Sequence, residues 1–219
     1  MQPARIAELL QPFLERDPAR DLIDNISIYI DILLRWNSRI NLTAIRDPEE
    51  IVTRHFGESL FAACHLFEDP NARQTVADIG SGAGFPGIPV KLWAPHISLT
   101  LVESNHKKAA FLREVARALT LTGIDIQNAR AESLSTRFNL VTLRAVERFT
   151  SILPVAASLV APQGRLALLI GESQLAHARA LLPSHRFSPP VPIPQSRFRG
   201  LVVAESNLQV VNQTDNHSR

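Results

Sequence analysis

The spacing that is most informative about chemistry lies in a glycine-rich segment, Asp78-Ile79-Gly80-Ser81-Gly82-Ala83-Gly84. An apolar run that ends at Ile79 precedes the glycines, and a run with helical character follows them. Glycine lets the backbone turn sharply and approach a ligand closely. Glycine clusters also mark ordinary turns, but a strand before the glycines and a helix after them favour a loop that binds a nucleotide-like cofactor.

Two registers of this loop predict two different cofactors. In one, Gly82-Ala83-Gly84-Phe85-Pro86-Gly87 matches the G-x-G-x-x-G pattern of dinucleotide-binding proteins. That register would carry the strand through residues 80–81, which are poor strand formers. It would also place Pro86 and Pro89 where backbone N–H groups should point at a pyrophosphate. A nicotinamide-dependent oxidoreductase is therefore the less favoured alternative.

The other register, Asp78-x-Gly80-x-Gly82-x-Gly84, starts directly from the strand. We expect it to bring the Asp78 carboxylate close to the ligand. A carboxylate there would repel a pyrophosphate and attract the ammonium group of a methionine moiety. S-adenosylmethionine carries cationic groups and no phosphate, so this register predicts S-adenosylmethionine as the cofactor.

A second acid follows the next apolar run, Leu99–Val102. Glu103 lies 23 residues after Gly80. An acid about 20 residues beyond such glycines accepts hydrogen bonds from the hydroxyls of a ribose. The alternative interpretation is an ordinary acidic residue at the start of a helix, but the position downstream of the loop favours the ribose.

The elements that must position these residues alternate along the chain after residue 75. The predicted strands are Val76–Ile79, Leu99–Val102, Ile124–Ile126, Leu140–Leu143, Leu166–Ile170 and Leu201–Ala204. The predicted helices are Ile88–Trp93, Asn105–Leu119, Ser151–Val160 and Glu172–Leu182. This alternation predicts an α/β fold with a mostly parallel sheet and helices on both faces. The proline-rich segment Pro183–Pro194 is expected to be a loop, with room for one edge strand.

The first 70 residues have a helical pattern instead. One apolar face recurs at three- and four-residue spacing, in Leu22, Ile23, Ile26, Ile30, Leu33 and Leu34. A second helix is predicted to begin after Asp47 as its N-cap and to carry the apolar stripe Ile51, Val52, Phe56, Leu60, Ala63 and Phe67. We therefore expect a helical addition at 1–70, a cofactor-binding domain at 71–210 and a flexible tail at 211–219.

Composition excludes several classes of protein. The chain has 219 residues, of which 45% are hydrophobic, enough for one sizeable core. Cys64 is the only cysteine, so an intrachain disulfide and a thiolate zinc site are excluded. No run approaches the roughly 18 apolar residues of a membrane helix, and the first residues do not resemble a signal peptide. We expect a cytoplasmic protein without membrane association. The net charge of +2 does not itself indicate nucleic-acid binding, although 20 of the 23 basic residues are arginine.

Several further motifs accompany the glycine loop. They are Trp36-Asn37, Asn41-Leu42-Thr43-Ala44-Ile45, Arg54-His55, Glu58-Ser59-Leu60, Asp78–Pro89, Val102-Glu103-Ser104, Lys107-Lys108, Phe111-Leu112 and Arg144-Ala145. With these motifs the chain resembles, over nearly its whole length, the RsmG (GidB) family of 16S ribosomal RNA methyltransferases. The most specific motif is Gly84-Phe85-Pro86-Gly87-Ile88-Pro89, which generic methyltransferases rarely carry.

The resemblance implies a Rossmann-like class I methyltransferase fold with a seven-stranded sheet and an N-terminal helical addition. It implies methyl transfer from S-adenosylmethionine to N7 of the guanine at position 527 of 16S ribosomal RNA, free or within a small-subunit precursor. A methyltransferase of the same fold that acts on a protein or small molecule is the alternative. The expected cofactor contacts are Gly80, Gly82, Phe85, Glu103, Ala131, Glu132 and Arg144.

Guanine N7 has a lone pair and no proton, so we expect neither a catalytic acid–base residue nor a metal, and catalysis by positioning. Arg144 and Arg148 are candidates for contact with the substrate, and a salt bridge from Arg144 to Glu147 is the structural alternative. His55 is interpreted as a packing or hydrogen-bonding residue. We expect a monomer, because the sequence suggests no obligate interface.

This chain also departs from the family pattern. Ile170 stands where the family commonly has a lysine, and Ala204-Glu205 replaces another basic position. Lysines at such positions could meet the RNA backbone, so we expect a weaker electrostatic attraction for RNA there.

Overall fold

The computed structural model describes residues 1–206, and the predicted tail 211–219 lies outside the described residues, as do the last residues of the predicted domain 71–210. The described chain alternates strands and helices after residue 75, as the pattern predicts, and is helical before it. None of the helices within residues 1–206 has the length and apolar character needed to cross a membrane.

One mixed sheet organises the described chain. Its strands are β1 (Thr75–Ile79), β2 (Ser98–Val102), β3 (Ile124–Gln127), β4 (Phe138–Arg144), β5 (Val160–Gly171), β6 (His185–Phe187), β7 (Val191–Pro192) and β8 (Arg199–Ser206). Seven of them follow the order β3-β2-β1-β4-β5-β8-β6, and β7 pairs with β8. Strands β1 to β5 pair in parallel, whereas β8 runs antiparallel to β5, β6 and β7. The predicted mostly parallel sheet is confirmed.

The helices connect these strands and form the N-terminal segment. They are α1 (Pro3–Leu10), α2 (Arg20–Asn37), α3 (Pro48–Ile51), α4 (Glu58–Leu66), α5 (Gly87–Trp93), α6 (His106–Ala118), α7 (Phe149–Ser158) and α8 (Glu172–Leu181). Two short 3-10 turns, Gln11–Phe13 and Ala131–Ser133, and one π-helix, Val52–Gly57, complete the set.

The second N-terminal helix begins as predicted and continues differently. The Asp47 side chain accepts a hydrogen bond from the Glu50 backbone N–H at 2.8 Å, which is the expected N-cap. The predicted single helix is interrupted by the π-helix between α3 and α4. Gly57, the last residue of the π-helix, lies so close to the Phe13 ring that a Cβ atom there would be 2.6 Å from it. This close packing holds the start of the chain against α4.

Two boundary predictions were wrong. The helix predicted to reach Val160 ends at Ser158, and β5 begins at Val160 instead of Leu166. A register shift between Phe138 and Leu140 lets β5 start early, because its first residues bulge before regular pairing resumes. The segment Pro183–Pro194 contains two short strands, β6 and β7, instead of one. Both are at the edge of the sheet, where a proline without an N–H donor is tolerated.

The core has two layers, one against each face of the sheet. Val76 and Ala77, neighbours in β1, belong to different layers because successive strand side chains point to opposite faces. The first layer contains residues of the N-terminal helices, such as Ile26 and Phe56, together with strand residues such as Leu140. The N-terminal helices therefore share one apolar core with the sheet.

The parallel strands also bring their carboxyl ends to one edge of the sheet. Ile79, Val102 and Arg144 end β1, β2 and β4 at this edge. Because β8 runs the other way, it begins at the same edge, where Arg199 pairs with Gly171 at the end of β5. In open α/β sheets, ligands bind outside these carboxyl ends.

Candidate functional site

The glycine-rich loop turns sharply as soon as β1 ends. Gly80, Gly82 and Gly84 have φ values of +68°, +55° and +83°, a region that residues with a side chain rarely adopt. The backbone N–H groups of Gly80 and Ser81 both donate to the Val102 carbonyl, at 2.9 and 3.1 Å. The Gly84 N–H donates to the Ser81 carbonyl at 2.6 Å. These donors are therefore used within the protein and are not aimed at a ligand phosphate.

Glu103 lies beside this loop at the end of β2. One carboxylate oxygen accepts a hydrogen bond from the Gly82 N–H at 2.9 Å, and the other accepts one from the Asn105 N–H at 2.7 Å. A carboxylate can accept about four hydrogen bonds, so Glu103 keeps acceptor capacity for a ligand. Asn105 in turn caps α6, since its side chain accepts from Lys107 N and Lys108 N.

Ala131 and Glu132 follow β3 in a short 3-10 turn, Ala131–Ser133. Ala131 is buried and belongs to the second layer of the core, whereas Glu132 is exposed. Asn128, just before this turn, donates to the Glu103 and Ser104 carbonyls at 2.9 and 3.1 Å. The ends of β2 and β3 are thus tied together.

Phe85 is packed inside a stack of aromatic rings. Its ring lies between those of Tyr29 and His55, with centroid distances of 5.4 and 4.8 Å, and Phe56 meets it edge-on at 5.0 Å. Tyr29 comes from α2, and its hydroxyl donates to the Ala83 carbonyl at 2.5 Å. The N-terminal segment therefore holds the glycine-rich loop directly.

His55 is neutral in this setting. Burial, and then the positive charges of Arg144, Arg54 and Arg199, lower its pKa to about 3. Its Nδ1 lies 3.4 Å from the Arg144 guanidinium, which can only donate, so Nε2 carries the proton and donates to Thr43 Oγ1 at 2.8 Å. Packing and hydrogen bonding to the N-terminal segment are what the sequence predicts for His55.

Arg144 lies at the end of β4 with its side chain 10% exposed, and it belongs to a cluster of charges. Its guanidinium donates to Glu58 at 3.0 Å and to the Arg54 carbonyl at 2.5 Å. Glu58 also pairs with Arg199 at 2.5 Å and with Arg54 at 3.4 Å, so one buried carboxylate is shared by three arginines. Burial lowers the pKa of Arg144, and Glu58 opposes that change. A structural Arg144 was predicted to form a salt bridge with Glu147, and this partner is wrong. The salt bridge is made with Glu58, the first residue of α4.

These residues surround a cavity of about 820 Å³. All seven residues predicted to contact a cofactor line it: Gly80, Gly82, Phe85, Glu103, Ala131, Glu132 and Arg144. Thr43 and His55 from the N-terminal segment, and Lys108, Arg130 and Arg148 on later loops and helices, line it as well. Its size fits a ligand of a few hundred daltons. The sequence thus predicted residues that the fold brings together, and their roles toward a cofactor stay predictions.

The predicted position of the Asp78 carboxylate close to the ligand was wrong. Asp78 does not line the cavity; it is 1% exposed. Its carboxylate accepts hydrogen bonds from Thr142 Oγ1 at 2.7 Å and from the Gly87 N–H at 3.2 Å. Burial raises its pKa to about 6. Asp78, the penultimate residue of β1, therefore fixes the start of α5 against β4 and does not meet an ammonium group, because its side chain points to one face of the sheet only.

The two departures from the family pattern also differ from expectation. Ile170 is 3% exposed and Ala204 is 1% exposed, both within the second core layer. Glu205 pairs with Arg186 on β6 at 2.6 Å. Neither apolar side chain faces a surface that RNA could reach in this chain.

Sequence reasoning missed the roles of Tyr29 and Glu58. Glu58 carried a signal, because an acid among the apolar positions of a helix is rarely buried unless it is paired. Tyr29, the only tyrosine of the chain, sits next to the apolar stripe of α2 without belonging to the predicted set. Its contact with Ala83 spans 54 residues and leaves no local trace in the sequence.

Solved structures share this fold at low sequence identity. One is a ribosomal protein L11 methylase from Lactobacillus delbrueckii subsp. bulgaricus, with a TM-score of 0.59, 19% identity and coverage of 70% of this chain and 79% of that one. Another is a SAM-dependent methyltransferase from Aquifex aeolicus, with a TM-score of 0.55, 14% identity and coverage of 72% and 93%. The fold is the class I methyltransferase fold, as predicted.

Sequence relatives are more similar. The chain is 40% identical over 159 residues to "Ribosomal RNA small subunit methyltransferase G" of Xylella fastidiosa (strain M23), which covers 72% of each chain. It is 41% identical over 145 residues to the protein of the same name from Xanthomonas euvesicatoria pv. vesicatoria (strain 85-10). That match covers 65% of this chain and 66% of the relative, slightly less than two thirds of its length.

A family model, GidB, described as rRNA small subunit methyltransferase G, matches residues 22–188. The matched range begins at the third residue of α2, ends one residue after β6, and includes every residue predicted to contact a cofactor. The chain therefore belongs to the GidB family of rRNA small subunit methyltransferase G proteins.

Proposed function

We propose that this protein transfers the methyl group of S-adenosylmethionine to N7 of a guanine, at position 527, in 16S ribosomal RNA. The observation that carries the proposal is the match of the GidB family model over residues 22–188, which includes the whole loop and its cavity. The relatives named above are ribosomal RNA small subunit methyltransferases. The position on the guanine follows from the motifs that the chain shares with the family.

The chemistry of the cavity fits S-adenosylmethionine better than a dinucleotide. The loop N–H groups that would bind a pyrophosphate donate to the Val102, Ser81 and Glu103 oxygens instead. Glu103 adds a negative charge to this wall, which opposes a phosphate and suits ribose hydroxyls and a cation. Phe85 and Ala131 supply apolar surface, with Ala131 and Glu132 on the side expected for the adenine.

When bound, S-adenosylmethionine supplies the electrophilic methyl group and the leaving group. The chain's own residues hold the two reactants in line, because guanine N7 has no proton to remove. Arg148, Arg130 and Lys108 line the cavity and can contact the RNA backbone as it enters. The proposed partner is 16S ribosomal RNA or a precursor of the small subunit, and the enzyme acts as a monomer in the cytoplasm. The proposed division is a helical addition at 1–70 and a methyltransferase domain at 71–210, whose last four residues lie outside the described part of the chain.

The RNA assignment is tested in cells that lack the protein. Small-subunit RNA from such cells should carry an unmodified guanine at position 527, which chemical cleavage at N7-methylguanine detects. Expression of the wild-type chain should restore the cleavage. Retention of the methyl group in the deleted cells would contradict the RNA assignment and leave a protein or small-molecule substrate.

The cofactor assignment is tested separately by calorimetry with purified protein. We expect binding of S-adenosylmethionine and no binding of a nicotinamide dinucleotide. The Glu103→Gln variant should bind S-adenosylmethionine about ten-fold more weakly, because hydrogen bonds to a charged acceptor contribute about 1.5–3 kcal/mol. Glu172→Gln, at the exposed start of α8, is the matched control and should bind like the wild type. Tight binding of the dinucleotide would overturn the cofactor assignment.

A further inference from the structure

Phe198 is the most exposed large hydrophobic side chain among residues 1–206. Its exposed fraction is 81%, against 44% for Ile28 and 38% for Leu181. Burying a phenylalanine ring stabilises a fold by about 1.5–3 kcal/mol relative to leaving it in water. The Phe198 ring does not contribute this stabilisation because it is exposed, and it is therefore a candidate for contact with a partner.

The turn that presents Phe198 is built from hydrogen bonds. Ile193 N donates to the Arg199 carbonyl at 3.1 Å, and Arg199 N donates to Ser196 Oγ at 3.2 Å. Ile193 is 1% exposed and anchors the turn in the first core layer. Gln195 has a φ of +57°, which reverses the chain inside the turn. The ring is thus held out by a closed turn with a buried anchor.

Phe198 has an arginine on each side. Arg197 is exposed, and its guanidinium is available for a phosphate or a base. Arg199 donates to Glu58 and is fixed in the charge cluster. Three arginines share Glu58, and Arg54 also pairs with Glu50, so three cations against two carboxylates leave a net positive charge behind the ring. An exposed ring between cations is the pattern that binds single-stranded nucleic acid.

The turn also lies on the edge of the sheet where the cavity opens. Arg144 of the cavity pairs with Leu169 of β5, and Leu169 pairs with Leu201 of β8. The strands β4 and β8 are two strand spacings apart, each about 4.8 Å, and Arg199 lies two residues along β8 from Leu201. These two perpendicular displacements place the start of β8 about 12 Å from the end of β4. Glu58 bridges the same gap by contacting both Arg144 and Arg199.

We propose that Phe198 stacks on an unpaired base of the substrate RNA near the methylated guanine, with Arg197 on the adjoining phosphate. The inference deepens the proposed function and rests on it, since it names how that substrate is held outside the cavity. Every base has an aromatic face, so the ring would hold a neighbouring nucleotide whatever its identity. Unstacked bases in loops are the parts of RNA that aromatic side chains bind.

RNA is favoured over a protein as the occupant by the charges around the ring. The ring is flanked by Arg197 and backed by the Arg54, Arg144 and Arg199 cluster, whereas protein-binding patches at their centre are depleted of charge and apolar over several residues. The Phe198 ring provides one surface on which a base can stack, and Arg197 beside it can contact the phosphate. Together they fit one nucleotide.

The experiment measures binding of a single-stranded RNA, with the sequence around guanine 527 and a 2-aminopurine label near it, to the full-length protein. Phe198→Ala should weaken RNA binding about five-fold or more, because stacking contributes about 1–3 kcal/mol per base. Phe198→Trp should restore binding and quench the label, whereas Phe198→Leu should not restore it. Leu181→Ala, which also removes an exposed apolar side chain, is the matched control and should bind like the wild type.

Methylation kinetics add a second readout. Phe198→Ala should raise KM for the RNA, with kcat at saturating RNA and the affinity for S-adenosylmethionine unchanged. Arg197→Ala should lower RNA affinity and reduce the salt dependence by about 0.7 in the slope of log K against log salt, as for one lost contact to a single strand. Arg73→Ala, exposed at the opposite edge before β1, should leave that slope unchanged.

The outcomes separate this inference from the proposed function. Wild-type methylation of guanine 527 with equal RNA affinity for the wild type and Phe198→Ala would overturn the inference and keep the function. Full binding by Phe198→Leu would also overturn it, since an aliphatic side chain that serves equally well indicates an apolar contact, as with a protein. Aromatic-dependent RNA binding without methylation would keep the inference about stacking and contradict the function.

Discussion

Three arginines share the buried carboxylate of Glu58, so the charge of this one side chain affects all of them. The Glu58 side chain is 2% exposed and that of Arg144 is 10% exposed. Two opposite charges taken out of water are stable only while they remain paired, because a lone buried charge loses its hydration without compensation. Burial first, and the positive charges of the cluster second, lower the pKa of His55 and keep it neutral.

Replacing Glu58 by glutamine should therefore destabilise the protein strongly. Breaking a buried ion pair costs about 3–5 kcal/mol, which corresponds to a fall of roughly 6–20 °C in the melting temperature of a chain of this size. Calorimetry of Glu58→Gln measures the change. Glu50→Gln removes an exposed partner of Arg54 and should change the free energy of unfolding by less than about 0.5 kcal/mol. Equal effects of the two substitutions would show that Glu58 is not a buried counter-ion.

His55 should make stability depend on pH. Its pKa is about 3 in the folded protein and about 6.5 when exposed, so below pH 6.5 the unfolded chain binds a proton that the folded protein does not. The stability from neutral His55 is fully present above about pH 6.5 and is lost as the pH falls toward 3, by up to about 1.4 kcal/mol per unit.

Urea unfolding of the wild type and of His55→Gln at pH 7 and pH 5 tests this sign. The wild type should lose about 2 kcal/mol more than the variant between these values. Buried Asp78 changes stability with the opposite sign, but it is present in both proteins and cancels from the difference. His177→Gln, an exposed position on α8, should retain the pH dependence of the wild type. An unchanged slope in His55→Gln would mean that His55 is protonated in the fold.

At the scale of elements, α2 and the glycine-rich loop form one unit. The Tyr29 hydroxyl holds the Ala83 carbonyl, and a Cβ atom at Gly84 would lie 2.3 Å from that hydroxyl. Two features therefore exclude a side chain at position 84: the positive φ of Gly84 and the lack of space for a Cβ atom. Gly82 has the first alone, since its nearest neighbour in that direction is 3.7 Å away.

Removing the Tyr29 hydroxyl should loosen the loop while leaving the aromatic stack. We expect Tyr29→Phe to lose about 1 kcal/mol of stability and to bind S-adenosylmethionine several-fold more weakly. Thermal unfolding and calorimetry measure the two effects. Ser27→Ala on the same helix is the control and should match the wild type. Unchanged affinity in Tyr29→Phe would indicate that the glycines hold the loop without α2.

The elements themselves were largely predictable, and the exceptions have physical causes. The alternation after residue 75 reflects strands that are buried on both faces and helices with one apolar face, which local periodicity reveals. The π-helix Val52–Gly57 uses the same apolar residues as an α-helix, so the pattern does not distinguish the two. Strand β7 contains Pro192 and forms only because β8 offers it an edge, a condition set by distant residues.

The site could likewise be predicted only where it does not depend on contacts between residues distant in sequence. The residues that line the cavity sit at strand ends or on the loop, where the topology alone brings them together. Tyr29 and Glu58 act through contacts 54 and 86 residues away, with Ala83 and Arg144. Asp78 was predicted from its local sequence to contact the ligand, because it is next to the glycines. In the fold it is buried, and its carboxylate accepts hydrogen bonds from Thr142 and Gly87 instead.

For the whole molecule, the first core layer joins the N-terminal helices to the sheet. Leu10, Ile26 and Phe56 lie in the same apolar cluster as Leu99 and Leu140. A boundary near residue 70 marks a change in sequence pattern, and it does not separate two cores. We therefore expect residues 1–206 to unfold as one cooperative unit.

The two tryptophans of the chain test this cooperativity. Trp36 lies in α2 and Trp93 in α5, so Trp93→Phe leaves a reporter in the helical segment and Trp36→Phe leaves one beside the sheet. In each variant the fluorescence midpoint in urea should coincide with that of circular dichroism. A transition of Trp36 at lower urea than the loss of secondary structure would reveal a segment that unfolds separately.

The ion pair between Glu58 and Arg199 has a consequence for synthesis, because it spans 141 residues. Chains elongate at about 5–20 residues per second, so Arg199 leaves the ribosome roughly 7–28 s after Glu58. At the start of that interval Arg54 is the only one of the three arginines already made, Arg144 follows 86 residues after Glu58, and β8 comes last. The edge of the sheet that carries the cavity is thus completed last. Translation time therefore sets the earliest moment at which Glu58 can pair with Arg199.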